Sequence, residues 1–467
     1  MTLTDHRPEA APATESIPVT VARLRATFRS GRTRPIEWRL GQLEAIERMM
    51  VEREKDFVTA LVADLGRNEV DAWLADLAPV VSESKYARKH LRSWVKPLRS
   101  KLPVSVLPGK AWVQYEPLGV AGIIGPWNYP VYLVLAPLVG AIAAGNCAVI
   151  KPSEHTPAVS ALLARVLPEY LDADTVAVVE GAAAETGELI DQALDHCFFT
   201  GSPEVGKIVM AGAAKHLTPV TLELGGKSPV IVADDAAVKV AARRVAWTKS
   251  LNSGQTCIAP DYVLVHRSVR DSFLKELNRA IEQFVPQGGQ MMPLVHERRA
   301  DRIGELIDGA GGTLARGGKV EAASKRAALT VIVDPDPSSD VMTEEIFGPV
   351  LPVVTVDSLD DAITHVQKGP KPLALYLFTR SRATEKRVLD EISNGATVIN
   401  HLIFHVLAPG LPFGGVGNSG MGSYHGRWGF ETFSHRKAVL RKPTRPDPNV
   451  LYPPYTKLKE RLLRMVF

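Results

Sequence analysis

The stretch PLGVAGIIGPWNYPVYLVLAPLVGAIAAGNCAVI, residues 117–150, carries no charged side chain, and how it is read decides the fold. It is longer than the roughly 18 apolar residues that nominate a membrane span. Its punctuation points elsewhere. Val120 to Ile124 is a short apolar run, Gly125 to Pro130 a loop, Val131 to Ala144 suits a helix, and Cys147 to Ile150 suits a buried strand. Pro126, Pro130 and Pro137 interrupt any lipid-facing helix, and the amides of Asn128 and Asn146 would need partners that lipid does not offer. A parallel strand covered on both faces, by contrast, is expected to be uncharged along its whole length. The stretch therefore reads as strand, loop, helix and strand inside a soluble α/β domain.

Downstream the alternation continues. A helix is expected near Thr156 to Tyr170, a strand over Thr175 to Val179, a helix over Glu185 to Ala193, a strand over Cys197 to Phe199, a helix over Pro203 to His216 and a strand over Val220 to Leu224. Strands alternating with helices of this length predict a parallel, doubly wound sheet whose carboxyl edge binds a nucleotide. From Gly225 a second α/β unit begins, with a strand at Pro229 to Ala233, a helix at Ala236 to Ser250, the polar turn Asn252 to Cys257 and a strand at Tyr262 to Val265. Upstream, Val21 to about Lys101 is helical in pattern, with Leu40, Leu43, Ile46 and Met50 three and four residues apart. The closing TKLKERLLRMVF is amphipathic and basic; a terminal helix docked on its own or a partner subunit is expected rather than one lying on a membrane.

At 467 residues the chain is longer than one core supports, so several domains are expected. Lys and Arg number 55 against 51 Asp and Glu, and the positive charges form no block, which argues against a nucleic-acid partner. Three cysteines, Cys147, Cys197 and Cys257, fit neither paired disulfides nor a chelating pair, so no metal and a reducing, cytoplasmic compartment are expected. The first twenty residues lack an apolar signal region and read as a flexible tail.

Four short motifs carry chemistry. Gly201 to Lys207 follows a strand and opens a helix, matching a phosphate loop up to its last position, where Ile208 replaces the magnesium-holding hydroxyl. What remains is a helix N-terminus behind a glycine turn, suited to a pyrophosphate or simply to packing. Lys151-Pro152-Ser153-Glu154 sits at a strand-to-helix junction, where a Lys and an acid can reach ribose hydroxyls, the acid disfavouring a 2′-phosphate, or can merely start a helix. Cys257 lies in a polar turn, unlike Cys147 and Cys197 in apolar surroundings, and a turn supplies the N–H groups that stabilise a thiolate. Glu223 ends an apolar strand before Gly225-Gly226, where burial would raise its pKa towards that of a general base; a rim carboxylate paired with Lys227 is the competing reading.

Together with Pro126-Trp127-Asn128-Tyr129-Pro130 and Glu344-Glu345-Ile346-Phe347-Gly348-Pro349, these motifs resemble the aldehyde dehydrogenase superfamily, in the family's order over nearly the whole chain. The ending LPFGGVGNSGMGSYHGRWGFETFSHRKAVL is similar to class 3, the branch that oxidises fatty and aromatic aldehydes. The resemblance implies a Rossmann-type NAD(P)-binding domain over 21–101 and 118–224, a catalytic domain over 225–408, and an oligomerisation element from 102–117 and 409–467. It implies Cys257 as nucleophile, Glu223 as general base, and Asn128 with the Cys257 N–H as oxyanion donors. Lys151 and Glu154 would bind the adenosine ribose, Gly201, Ser202 and Gly206 the pyrophosphate turn, Glu345 the nicotinamide ribose with Phe347 beside it, and Trp127 would line the channel. NAD is favoured over NADP, and a homodimer without a membrane anchor is expected.

Asn400-His401 stands where the class commonly shows Asn-Asp, Gly125-Pro126 where Gly-Thr is often seen, and Gln287 to Ser324 matches least. These departures bear on substrate choice and loop shape. Two other functions fit the same motifs: an acylating enzyme passing its thioester to coenzyme A, and a binding protein on the same fold.

Overall fold

The computed structural model describes residues 15–285 and 291–467. The uncharged stretch forms the strand Val120–Ile124, a loop, the helix Tyr132–Ala144 and the strand Cys147–Lys151. Every residue of that helix is buried. Each Val, Leu or Ile so buried contributes roughly 1.5–3 kcal/mol, which is why the segment excludes charge without meeting lipid. Asn146 is buried with its needs met: its Oδ1 accepts the Gly119 N–H at 2.8 Å, and its amide donates to the carbonyls of Ala141 and Phe433. No helix among the described residues is long and apolar enough to cross a membrane.

Five parallel strands build the first sheet in the order Val220–Leu224, His196–Gly201, Val120–Ile124, Cys147–Lys151, Val176–Val178. The chain starts in the middle, runs outward through 147–151 and 176–178, then returns to the other side. The direction reverses between Val120–Ile124 and His196–Gly201, and the crevice beyond their carboxyl ends is where a doubly wound sheet holds a ligand. A short sixth strand, Gly420–Met421, adds antiparallel to Val220–Leu224 and places Gly420 opposite Glu223.

The second sheet has seven strands in the order Thr313–Arg316, Thr330–Val333, Val350–Val356, Tyr262–His266, Pro229–Val232, Ala374–Phe378, Ala396–Ile399, all parallel except the first. The helix Val238–Ser250 leads from this sheet into the turn that bears Cys257. A third, antiparallel sheet joins Leu98–Ser100, Lys110–Pro117 and Ser434–Arg441.

Four differences from the sequence reading bear on the domains. The first helix, Ile17–Arg29, begins inside the stretch read as tail, with Ile17 and Thr20 buried; residues 1–14 lie outside the described ones. Leu98–Ser100, assigned above to the cofactor domain, pairs with Lys110–Pro117 instead. Tyr424 and Phe433 meet the Phe198 ring at 5.1 Å and 6.0 Å, and Gly429 lies against Gly140, so much of 409–433 packs on the cofactor unit. The closing helix Lys457–Val466 has no buried residue, so it does not dock on the body of its own chain.

Candidate active site

Cys257 is half-buried, while Cys147 and Cys197 are buried, and all three are free thiols. The turn before Cys257 is bent by three successive left-handed residues, Asn252, Ser253 and Gly254, at φ of 50°, 53° and 72°. A Cβ on Gly254 would overlap the Gly348 carbonyl, so the absent side chain lets the nucleophile turn press against the loop of Glu345 and Phe347. Phe347 is itself left-handed at φ 42°, a strained conformation of the kind that clusters at functional sites. Gln255 anchors the turn from below: its amide donates to the Asn252 and Pro293 carbonyls and its Oε1 accepts the Val295 N–H.

Asn128 comes from the opposite side, at the carboxyl end of Val120–Ile124. It is buried, and its amide donates to the Gln255 carbonyl at 3.1 Å, which leaves a second amide hydrogen for another acceptor. The joint is locked by residues that sequence reading missed. Buried Arg67 donates to the Asn128 carbonyl and to Asn252 Oδ1 and pairs with buried Asp76. Asp76 also accepts the N–H groups of Val131 and Tyr132, both at 3.0 Å. Asn252 Nδ2 closes the ring onto the Asn128 and Gln255 carbonyls. Nothing in a single Arg and Asp nine residues apart signals this role. Removing one partner strands the other charge in a dry interior. Arg67→Ala is therefore expected to lower unfolding free energy by about 3–5 kcal/mol, read as a shifted denaturation midpoint.

Glu223 is buried and, among the described residues, neither carboxylate oxygen has a partner, so burial raises its pKa well above the ordinary range. It is not paired with Lys227, whose ammonium goes to Asp261 and to the Val341 and Glu344 carbonyls. Glu345 rests against the Gly225-Gly226 break; a Cβ on Gly225 would overlap its carboxylate. Burial and then the Asp261 charge push the Glu345 pKa up to about 8, against the Gly226 N–H, Arg299 and Lys227. The Cys257 thiol is pushed up to about 12, first by burial and then by the charges of Glu345 and Glu223, while the Cys257 and Ile258 N–H groups pull it down. Thiol and both carboxylates thus act on one another.

A dinucleotide fits the crevice at the sheet reversal. Lys151 is buried at the end of its strand, with Nζ 3.0 Å from Glu154. Burial pushes the Glu154 carboxyl up, but its own N–H and Lys151 more than offset this and hold it below its usual range. Glu185, unmarked in the sequence reading, lies close enough for its charge to feel Lys151 and Glu154. Ser202 caps the helix Pro203–Ala214 by accepting the Val205 N–H at 3.3 Å, and buried Thr200 Oγ1 beside it has no partner. Gly201 is bare because a Cβ would overlap the Phe199 ring. Gly206 has a packing role, since a Cβ there would come within 2.7 Å of Leu224, so it brings the helix close to its strand. Trp127 and Phe347 meet edge to face at 5.6 Å across the crevice. Among the described residues no cluster of side chains could hold a metal ion.

Comparison with known proteins shows the family. Residues 10–439 match the family described as "Aldehyde dehydrogenase family". The chain is 45% identical to mouse "Aldehyde dehydrogenase family 3 member A2", over 94% of this chain and 92% of that one. It is 44% identical to dog "Aldehyde dehydrogenase, dimeric NADP-preferring", over 93% and 97%. Among solved structures, "Substrate bound state of Staphylococcus Aureus AldH" superposes with a TM-score of 0.92 at 40% identity, over 97% of this chain and 99% of that one.

Proposed function

The chain belongs to the aldehyde dehydrogenase family and is an NAD(P)-dependent oxidoreductase acting on aldehydes; we propose that it converts medium- or long-chain aliphatic or aromatic aldehydes to acids through a thioester on Cys257. The observation that carries this is the unpartnered, buried Glu223 carboxylate, close enough to raise the Cys257 thiol.

Cys257 first gives its thiol proton to solvent water; the thiolate Sγ then bonds to the aldehyde carbon, and the carbonyl electron pair moves to oxygen. That oxyanion accepts from the free Asn128 amide hydrogen and the Cys257 N–H, donors fixed in place by Arg67 and Asn252. Lys151, Glu154, the Ser202 turn and Glu345 would hold NAD(P)+, which when bound would accept the hydride leaving that carbon. A thioester remains on Cys257. Glu223 then takes a proton from water as its oxygen bonds to the acyl carbon; the C–S bond breaks, releasing the acid and restoring the thiolate. The retained Glu223 favours water over coenzyme A as acceptor. Reduced-cofactor absorbance should appear with aldehyde and cofactor alone, without coenzyme A. No absorbance with short, long or aromatic aldehydes under either cofactor would overturn this reading.

NAD is the better cofactor in this reading, because Glu154 places a carboxylate 3.0 Å from Lys151 Nζ, where a 2′-phosphate would add like charge. Glu154→Gln should raise kcat/KM with NADP relative to NAD by about five- to tenfold. An unchanged ratio in steady-state assays would remove Glu154 from cofactor choice. The enzyme is further proposed to be a homodimer, supported by the word "dimeric" in a relative's name, and cytoplasmic, supported by three free thiols.

A further inference from the structure

Outside the crevice lies a cavity of about 600 Å³, lined by Lys239, Val240, Arg243, Arg244, Trp247 and Phe284. Its size suits a small organic ligand. Among the described residues, three cations and no carboxylate line it. Among the described residues, none of the three forms a salt bridge; Arg244 donates only to the Asn400 carbonyl. Lys239 and Arg243 are exposed, so their charges are available, and Val240, Trp247 and Phe284 supply an apolar wall. Cations beside aromatic and aliphatic surface suit a carboxylate on an apolar stem: the stem is desolvated and the carboxylate takes charge-assisted bonds.

The cavity adjoins the elements that hold the nucleophile. Trp247 sits on the helix that runs into the Cys257 turn, and its ring meets His401 and Phe404 edge to face at 6.5 Å and 6.2 Å. Ile403, between those two, has its backbone against the Tyr376 hydroxyl, which donates to the carbonyl of Ile258, the residue after Cys257. His401 is one of the positions where the chain departs from the class 3 pattern. Resting on the aldehyde-oxidising reading above, we infer that this cavity holds the distal carboxylate of the substrate, so that the enzyme prefers long aldehydes ending in a carboxylate over plain alkanals.

The test compares kcat/KM for a series of ω-oxo carboxylates, their methyl esters and alkanals of matched length, in the wild type and in Lys239→Glu/Arg243→Glu. The wild type is expected to favour the carboxylate over its ester by about tenfold at one chain length or more, an advantage that shrinks with added salt. The charge-reversed variant should lose that advantage. A wild type that oxidises alkanals and esters as well as carboxylates, or a carboxylate preference that survives charge reversal, would overturn the inference while leaving aldehyde oxidation standing. No turnover of any aldehyde would instead overturn the underlying reading. Inhibition of alkanal oxidation by a saturated fatty acid, without preference for the ω-oxo carboxylate, would assign the cavity to free carboxylates and likewise overturn it.

Discussion

Cys257→Ala is expected to abolish aldehyde oxidation while leaving cofactor binding intact. The substitution removes one sulfur from a half-buried position and touches none of the hydrogen bonds that shape the turn. Those run from Gln255 to Asn252, Pro293 and Val295, and from Asn252 to Asn128. Cofactor contacts come from other elements, the Lys151 and Ser202 junctions and the Glu345 loop. Binding should therefore persist in a cofactor fluorescence titration, while kcat falls by at least about four orders of magnitude, as removal of a covalent nucleophile does elsewhere. Appreciable turnover would sink the assignment. The same thiol gives a check without mutation. Burial, Glu345 and Glu223 push it up to about 12, so its alkylation in the cofactor-free enzyme should be slow near neutrality and speed up as pH rises.

The parts of this site legible in the sequence are those where composition and local pattern must agree with chemistry. An uncharged run broken by proline and asparagine could only be buried sheet and helix, and the strand–glycine–helix junctions marked the crevice before any geometry was available. A polar turn separated Cys257 from two core thiols. What stayed hidden depends on contacts between distant segments. Arg67 reaches Asn128 and Asn252 across 61 and 185 residues, and a lone arginine at the end of a helix looks like a surface residue until the fold buries it. Gly206 reads in sequence as a phosphate-turn glycine or a packing glycine; Leu224, 2.7 Å from where a Cβ would sit, gives it a packing role. The third sheet recruits Leu98–Ser100 by pairing with Lys110–Pro117, a register that no local signal in such short, exposed strands encodes.

Glu223→Gln should separate the two halves of the reaction. Thiohemiacetal formation and hydride loss use Cys257 and the oxyanion donors, which the amide leaves in place. Deacylation needs a base beside the thioester, and an amide cannot take a proton from water. One equivalent of reduced cofactor should form quickly and the steady state should then slow by about 10²–10⁴-fold, the usual contribution of a positioned general base. An unchanged steady state would remove Glu223 from that role. The pH dependence carries a second signature. Burial raises the Glu223 pKa well above the usual carboxylate range, so the wild-type deacylation rate should climb with pH until the carboxylate is ionised and then level, a limb that the Gln variant lacks. Stability moves the other way. A carboxyl whose folded pKa lies above its unfolded value contributes stability that is fully present below the unfolded pKa and is lost as pH rises through the folded one. The wild type should therefore lose thermal stability over that interval relative to Glu223→Gln, which stays neutral throughout. A base that is destabilising when ionised is then a cost that the fold carries for deacylation, and the Gln variant should be the more heat-resistant protein at alkaline pH and the slower enzyme wherever the wild-type carboxylate is ionised.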